Sequence, residues 1–90
     1  MYYVYLIYSL KYGIFYIGQT DDLTQRFVYH NSGRSKFTKD KKPWILLAFK
    51  SFQTRSEAMK EERRLKMLKN KRYILKEFGL NPDDFQKLFL

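Results

Sequence analysis

Three short apolar segments alternate with charged stretches along the chain. Residues 2–9, 14–19 and 44–52 are rich in aromatic and β-branched side chains, which is typical of β-strands. Gly13 closes the turn between the first two segments and predicts a hairpin. Apolar residues occupy both alternating positions of the third segment, so we expect that strand to be central or covered by helices.

The charged stretches carry helix signals. Leu23 and Phe27 lie one helical turn apart, which predicts a helix from about residue 22 to 31 with Thr20 or Asp21 as the N-cap. Thr54 and Glu57 have the spacing of a capping box, so a helix of about four turns is expected to follow them.

The remaining segments complete the fold prediction. Residues 34–43 have no periodicity and predict a mobile, exposed loop, whereas residues 71–78 either prolong the preceding helix or form a second one. Residues 81–90 predict a short terminal helix that folds back on the body through Phe85, Leu88 and Phe89. The order β-β-α-β-α-α predicts an α+β fold, an α/β sandwich with helices packed on a small sheet.

Composition restricts the class of partner. The chain carries 18 Lys and Arg against 9 Asp and Glu, a formal net charge of +9 that attracts polyanions such as nucleic acid. An anionic membrane is the rival partner, but the most basic helix carries Glu, Met and Leu and has no aromatic residue before Tyr73. No apolar run approaches the roughly 20 residues that span a bilayer.

Cysteine and histidine usage restricts the chemistry. The chain has no cysteine and His30 is its single histidine, so disulfides, thiol chemistry and Cys-based or His-rich metal sites are excluded. The N-terminal segment lacks the basic region and cleavage site of a signal peptide. We therefore expect a cytoplasmic protein.

Two tyrosines are expected on one face of the hairpin. If Tyr8 pairs with Gly13, Tyr5 lies directly opposite Tyr16, and opposed residues share a face. The two rings either only stabilise the sheet, by about 0.2–1 kcal/mol, or belong to a site. Gly18 favours a site, because a glycine inside a strand often marks the close approach of a ligand or another backbone.

Polar side chains also recur at helical spacing. Arg26 and His30 lie one turn apart on one helix face, which is either solvated or suited to a phosphate. In the last long helix, either Glu61 or Glu62 faces the sheet as a metal ligand, or both follow the edge of the apolar stripe and pair with lysines 66 and 69. Periodicity leaves these alternatives open.

Taken in order, these residues resemble the GIY-YIG nuclease superfamily, as a small stand-alone member. The similarity covers about residues 2–70, which leaves residues 71–90 as a helical extension of a single domain spanning 1–90. The motifs stand as Tyr3-Val4-Tyr5, Tyr16-Ile17-Gly18, Arg26, His30 to Gly33, Thr38, Pro43 and Ser56 to Glu62. The first motif departs from Gly-Ile-Tyr, and Asn70 is the candidate for an asparagine that some members place after the glutamate.

The resemblance implies a three-stranded antiparallel sheet flanked by helices and hydrolysis of nucleic-acid phosphodiester bonds with one divalent metal, Mg²⁺ or Mn²⁺. It assigns catalytic roles to Tyr5, Tyr16, Arg26 and His30. It assigns the metal to Glu62, which the EAxxxE pattern prefers over Glu61. We hypothesise that Tyr16, as a phenolate or through a relay with Tyr5 and His30, takes a proton from the attacking water while Arg26 holds the phosphoryl oxygens.

Contacts to nucleic acid are predicted beside this site. Gly18 leaves room for the substrate backbone, and a set of basic side chains grips phosphates without reading bases: Arg34, Lys36, Lys39, Lys41, Lys42, Arg63, Lys66 and Lys69. The leading hypothesis is an endonuclease acting on branched, nicked or damaged DNA, as in DNA repair. The alternatives are a DNA- or RNA-binding module with weak or no cleavage, and a subunit that needs a protein partner to choose its substrate.

Overall fold

The computed structural model describes the backbone of residues 1–89 and the side chains of residues 1–85. Its centre is a three-stranded antiparallel sheet with the strand order β2-β1-β3, in which β1 is Tyr2–Ser9, β2 is Phe15–Thr20 and β3 is Trp44–Phe52. The helices are α1 (Leu23–Asn31), α2 (Arg55–Lys66) and α3 (Lys71–Glu77), with two 3-10 segments at Lys39–Lys41 and Pro82–Phe89. This arrangement confirms the predicted α+β fold and its element order.

The hairpin register differs from the prediction by two residues. Tyr5 faces Gly18 and Tyr16 faces Ile7, because Ser9 bonds to Ile14 and Gly13 lies within the turn rather than opposite Tyr8. A shift of two positions keeps every side chain on its predicted face. Tyr5 and Tyr16 are therefore diagonal neighbours on one face, with ring centroids 6.4 Å apart.

The central strand is β1, not β3. Of the two alternatives predicted for β3, a central position is wrong, because this strand forms an edge of the sheet. Coverage by helices is confirmed, since α1 and α2 contact it, although Leu46 and Phe49 stay exposed. Apolar residues in both alternating positions show that both faces contact other groups, but they do not require a second neighbouring strand.

Helices cover both faces of the sheet. On one face Val4, Leu6 and Ile17 pack against α2 and α3. On the other face Tyr5, Ile7 and Trp44 form a second cluster, against which Tyr16, Leu23 and Phe27 are packed. The extension predicted at 71–90 contributes to the first cluster through α3, and the site tyrosines lie on the α1 face.

Several local predictions are revised. The N-cap of α1 is Asp22, whose carboxylate accepts from the Gln25 N–H, rather than Thr20 or Asp21. The capping box of α2 is confirmed, but that helix ends at Lys66, and α3 is a separate helix. Within the loop at 34–43, Thr38 is fully buried, so that loop is not exposed throughout.

The C-terminal segment is a 3-10 segment rather than an α-helix. Phe85 packs against the first core cluster, as predicted, while the side chains of Leu88 and Phe89 lie outside the described residues. Across residues 1–89, no helix is long and apolar enough to cross a membrane.

Candidate active site

A buried chain of hydrogen bonds joins β1, α1 and the following loop. The Tyr5 hydroxyl lies 2.7 Å from Nε2 of His30, and Nδ1 of the same imidazole lies 3.0 Å from Oγ1 of Thr38. All three side chains are buried. The loss of either hydrogen bond would therefore leave a polar group with no partner, because water does not reach it. A neutral imidazole satisfies both neighbours, because it donates through one nitrogen and accepts through the other.

Trp44 and Asn31 hold the loop against this chain. The Trp44 indole N–H donates to the Thr38 carbonyl at 3.0 Å. The Asn31 amide donates to the Trp44 carbonyl at 3.0 Å and accepts from the Trp44 N–H at 2.7 Å. Neither Thr38 nor Trp44 was predicted as a site residue. Thr38 lies in a loop without periodicity, which gives no signal of the side chains that turn inward, and Trp44 begins a strand that is largely apolar.

The environment sets the protonation of the Tyr5–His30 pair. Burial raises the pKa of Tyr5 well above its usual value, with Tyr16 and Glu62 adding to the shift and Arg26 opposing it. Burial, followed by the charge of Arg26, lowers the pKa of His30 to about 4. At neutral pH the pair is therefore a phenol bonded to a neutral imidazole, and Tyr5 is a poor acceptor for a proton from water.

The lowered pKa of His30 predicts acid-sensitive folding. The unfolded imidazole protonates near its reference pKa of about 6.5 and the native one near 4, so the unfolded state binds more protons and stability falls as the pH drops between these values. We expect a loss of about 2 kcal/mol between about pH 7.5 and pH 5, measured by urea unfolding.

Glu61 does not contribute to this loss of stability between about pH 7.5 and pH 5. Hydrogen bonds from Arg64 and Lys50 outweigh burial and hold the pKa of its carboxyl group at about 2. An NMR titration of the single imidazole gives an independent measurement. A midpoint near the reference value would show that His30 is not held as described.

Tyr16 reaches the same face without joining the hydrogen-bond chain. Its ring centroid lies 5.0 Å from that of His30, and its contacts within residues 1–85 are ring contacts. It borders a cleft of about 340 Å³ together with Phe37 and Lys66, and the Lys66 ammonium lies 5.5 Å from its ring centroid. Of the two motif tyrosines, Tyr16 is the one that faces a cleft.

Gly18 makes room for Tyr5 rather than for substrate. A Cβ atom at position 18 would overlap the Tyr5 hydroxyl and lie 2.6 Å from Cζ of that ring. The space predicted to admit a nucleic-acid backbone is thus filled by a side chain of the protein. The glycine allows the Tyr5 ring to lie across β2 and reach His30.

Gly18→Ala is expected to lower the free energy of unfolding by about 1–3 kcal/mol, because the new methyl group overpacks the Tyr5 ring. Urea unfolding measures the loss. In a Tyr5→Ala background the same substitution should cost close to nothing, since the obstructing ring is gone. An equal cost in both backgrounds would show that Tyr5 is not the reason for glycine at this position.

Arg26 acts on the hydrogen-bond chain but borders a different cleft from Tyr16. Its charge lowers the pKa of both Tyr5 and His30. Its guanidinium lies 5.2 Å from the ring centroid of Tyr29, and both residues line a second cleft of about 400 Å³ that also includes Arg34. The structure therefore brings Arg26 within electrostatic range of Tyr5 and His30, while its guanidinium lies over the ring of Tyr29.

The two adjacent glutamates have different partners, which periodicity could not show. Glu61 accepts hydrogen bonds from Lys50 at 2.6 Å and from Arg64 at 2.7 Å. Glu62 pairs with Lys66 at 3.1 Å, and its charge contributes to the raised pKa of Tyr5. Glu61 thus ties α2 to β3, whereas Glu62 lies within electrostatic range of the tyrosine cluster.

The residues present fit one largely hydrated divalent cation. No group of three or more His, Cys, Asp or Glu side chains clusters within the described residues, so no protein cage surrounds a metal there. Mg²⁺ is commonly held by one or two carboxylates and substrate phosphates while it keeps several waters. The partly exposed Glu62 carboxylate suits that mode once Lys66 moves away from it.

The other predicted contact residues lie in varied surroundings. Lys66 lines the Tyr16 cleft, Arg34 lines the Arg26 cleft, and the Lys41 ammonium lies 4.4 Å from the ring centroid of Phe37. Asn70 is the N-cap of α3 and accepts from the backbone N–H groups of residues 72 and 73. The remaining predicted phosphate contacts are exposed on the surface: Lys36, Lys39, Lys42, Arg63 and Lys69.

Several UPF0213 proteins are similar to this chain in sequence. A UPF0213 protein of Listeria innocua is 44% identical over 66 residues, which cover 70% of this chain and 73% of that protein. A UPF0213 protein of Listeria welshimeri is 45% identical over 58 residues, and the match spans 64% of that relative's length, slightly under two thirds.

Structural comparison extends the match to almost the whole chain. The solution NMR structure of a UPF0213 protein from Bacillus halodurans is similar with a TM-score of 0.56 and 33% identity, over 98% of this chain and 97% of that one. The model of the GIY-YIG catalytic domain matches residues 1–74. The resemblance found in the motifs is confirmed, and the chain belongs to the GIY-YIG catalytic-domain family, a family of nucleases.

Proposed function

We propose that this protein is a metal-dependent endonuclease that hydrolyses DNA phosphodiester bonds at branched, nicked or damaged positions. The observation that carries the proposal is the cluster on the α1 face, where Tyr5 is bonded to His30 and Tyr16 contacts both rings. The charges of Arg26 and Glu62 act on the same Tyr5 hydroxyl. A domain that only binds nucleic acid needs cations on its surface, but it does not require Tyr16, Arg26 and Glu62 together.

Tyr16 is the proposed general base. It faces the cleft, whereas Tyr5 is buried and its raised pKa keeps it protonated. A base has to lie within hydrogen-bond reach of the water it deprotonates, and the cleft beside Tyr16 offers space for that water and a phosphate. Lys66 lies beside the ring and supplies positive charge for the phosphate.

Tyr5 and His30 have a supporting role in this scheme. Thr38 holds the imidazole and the imidazole holds the Tyr5 hydroxyl, so the two side chains form a fixed wall beside Tyr16. Arg26 is exposed on α1, and its guanidinium is proposed to leave Tyr29 and hold the phosphoryl oxygens as negative charge develops.

Glu62 is the proposed metal-binding residue. A bound divalent cation would neutralise phosphate charge and polarise the bond that breaks. Lys66 pairs with this carboxylate. If Glu62 held a cation instead, Lys66 would be available to the substrate phosphate.

A cleavage assay tests the proposal. Purified protein is incubated with supercoiled plasmid, fully paired duplex and flapped duplex, with Mg²⁺, with Mn²⁺ and with EDTA. We expect cleavage of the flapped duplex in either metal and none in EDTA. DNA binding without cleavage under all metal conditions would contradict the proposal and favour a nucleic-acid-binding module.

The same protein should show strongly salt-dependent DNA binding. The net charge of +9 and the exposed lysines imply that several phosphates are neutralised on binding. If about five counterions are released, affinity falls by about 10²–10³ between roughly 50 and 200 mM salt. Affinity that does not change with salt would show that the basic surface does not contact phosphates.

A further inference from the structure

An aromatic ring is exposed beside the Tyr16 cleft. Phe37 retains 53% of its accessible surface, and its ring centroid lies 5.6 Å from that of Tyr16 at an interplanar angle of 34°. Both residues line the same cleft. An exposed phenylalanine by itself needs no explanation, so the argument rests on where this ring is held and on what surrounds it.

The ring is held in place by the site itself. The next residue, Thr38, is fully buried and bonded to His30 and Trp44. The Lys41 ammonium donates to the Phe37 carbonyl at 2.9 Å, which fixes the backbone from the other side. Phe37 is therefore positioned by the same contacts that position the His30 imidazole.

Positive charge lies beside the ring. The Lys41 ammonium lies 4.4 Å from the ring centroid, and Lys36 and Lys39 are exposed within two residues of it in the chain. An aromatic face among cations is the combination by which proteins bind unpaired nucleotides, in which the ring stacks on a base and the cations contact the backbone.

We propose that Phe37 is a stacking platform for an unpaired nucleobase next to the phosphate in the Tyr16 cleft. This inference rests on the proposed function, because it takes the cleft to be the place of the scissile phosphate. Bases inside a duplex are covered on both faces by their neighbours, so away from duplex ends Phe37 can stack only on a base freed at a flap, gap or bulge. The platform therefore favours substrates with unpaired nucleotides over fully paired DNA.

Binding measured in EDTA tests the platform without requiring cleavage. Fluorescence anisotropy compares wild type, Phe37→Leu and Phe37→Trp on a paired duplex and on the same duplex with a short single-stranded flap. Stacking on one base is worth about 1–3 kcal/mol, so Phe37→Leu should weaken flap binding by about 5- to 150-fold and leave duplex binding unchanged. Phe37→Trp should retain the wild-type affinity for the flap.

A matched control is Phe49→Leu. Phe49 is 50% exposed, and its ring centroid lies 5.8 Å from that of Tyr3. It therefore has an exposure and a ring contact like those of Phe37, but it lies on β3, outside the two clefts. This variant should bind both DNAs as the wild type does. An equal loss in the two leucine variants would overturn the platform.

A second readout reports stacking directly. With 2-aminopurine in the flap, its fluorescence should be quenched by wild type and not by Phe37→Leu. If wild type binds the flap and Phe37→Leu gives the same affinity and quenching, the platform is refuted while the nuclease proposal stands. If wild type binds neither DNA at any salt concentration, the result contradicts the proposed function and, with it, the platform.

Discussion

Replacing Tyr16 by Phe is expected to slow DNA cleavage by about 10²–10⁴-fold, the usual contribution of a positioned general base. The substitution removes one oxygen and keeps the ring, so the contacts with His30 and Phe37 remain. DNA affinity should therefore change by less than about twofold, because phosphate contacts come from the basic side chains. The loss should fall on the chemical step alone.

Single-turnover cleavage with protein in excess measures that step, and anisotropy in EDTA measures affinity. The control is Tyr12→Phe, which removes a hydroxyl from a 56% exposed ring in the hairpin turn and should cleave at the wild-type rate. If Tyr16→Phe keeps more than about a tenth of the wild-type rate, Tyr16 is not the base. A matched loss of affinity would instead assign it to substrate binding.

The fold follows from local signals that the sequence carries strongly. The three strands, the capping box at Thr54 and the helix after Asp22 were predictable, because each depends on residues close together in the chain. The two-residue error in the hairpin register arose from pairing Gly13 with Tyr8, whereas Gly13 belongs to the turn. It left the faces intact, because side-chain direction in a strand repeats every two residues.

The sequence could not show the contacts between residues that are distant in the chain. Glu61 and Glu62 are adjacent on one helix, but Glu61 pairs with Lys50 in β3 whereas the charge of Glu62 acts on Tyr5 in β1. Gly18 was noticed as unusual, but only the register revealed that Tyr5 fills its space. Such contacts are long-range, so no local periodicity encodes them.

The loop at 34–43 shows the same limit. Its lysines were predicted correctly to be mostly exposed, yet Thr38 in their midst is buried against His30 and Trp44. The resemblance placed Thr38 in the family pattern without a role. Its contacts now give it one, as the anchor that fixes both the imidazole and the neighbouring Phe37.

The adjacent glutamates of α2 provide the second large prediction. Glu62→Gln removes the negative charge proposed to hold the metal while preserving side-chain size. We expect metal-dependent cleavage to fall by about 10³-fold or more, since a bound cation supplies several kcal/mol of transition-state stabilisation. Glu61→Gln loses its ion pairs with Lys50 and Arg64 and should cleave within about threefold of wild type once folding is verified.

The rate of flapped-duplex cleavage in Mg²⁺ by wild type, Glu62→Gln and Glu61→Gln, measured side by side, tests most directly whether the tyrosine cluster and this carboxylate form one catalytic site. The account predicts that wild type and Glu61→Gln cleave and that Glu62→Gln does not, although all three bind the substrate. Cleavage by Glu62→Gln at the wild-type rate would contradict it.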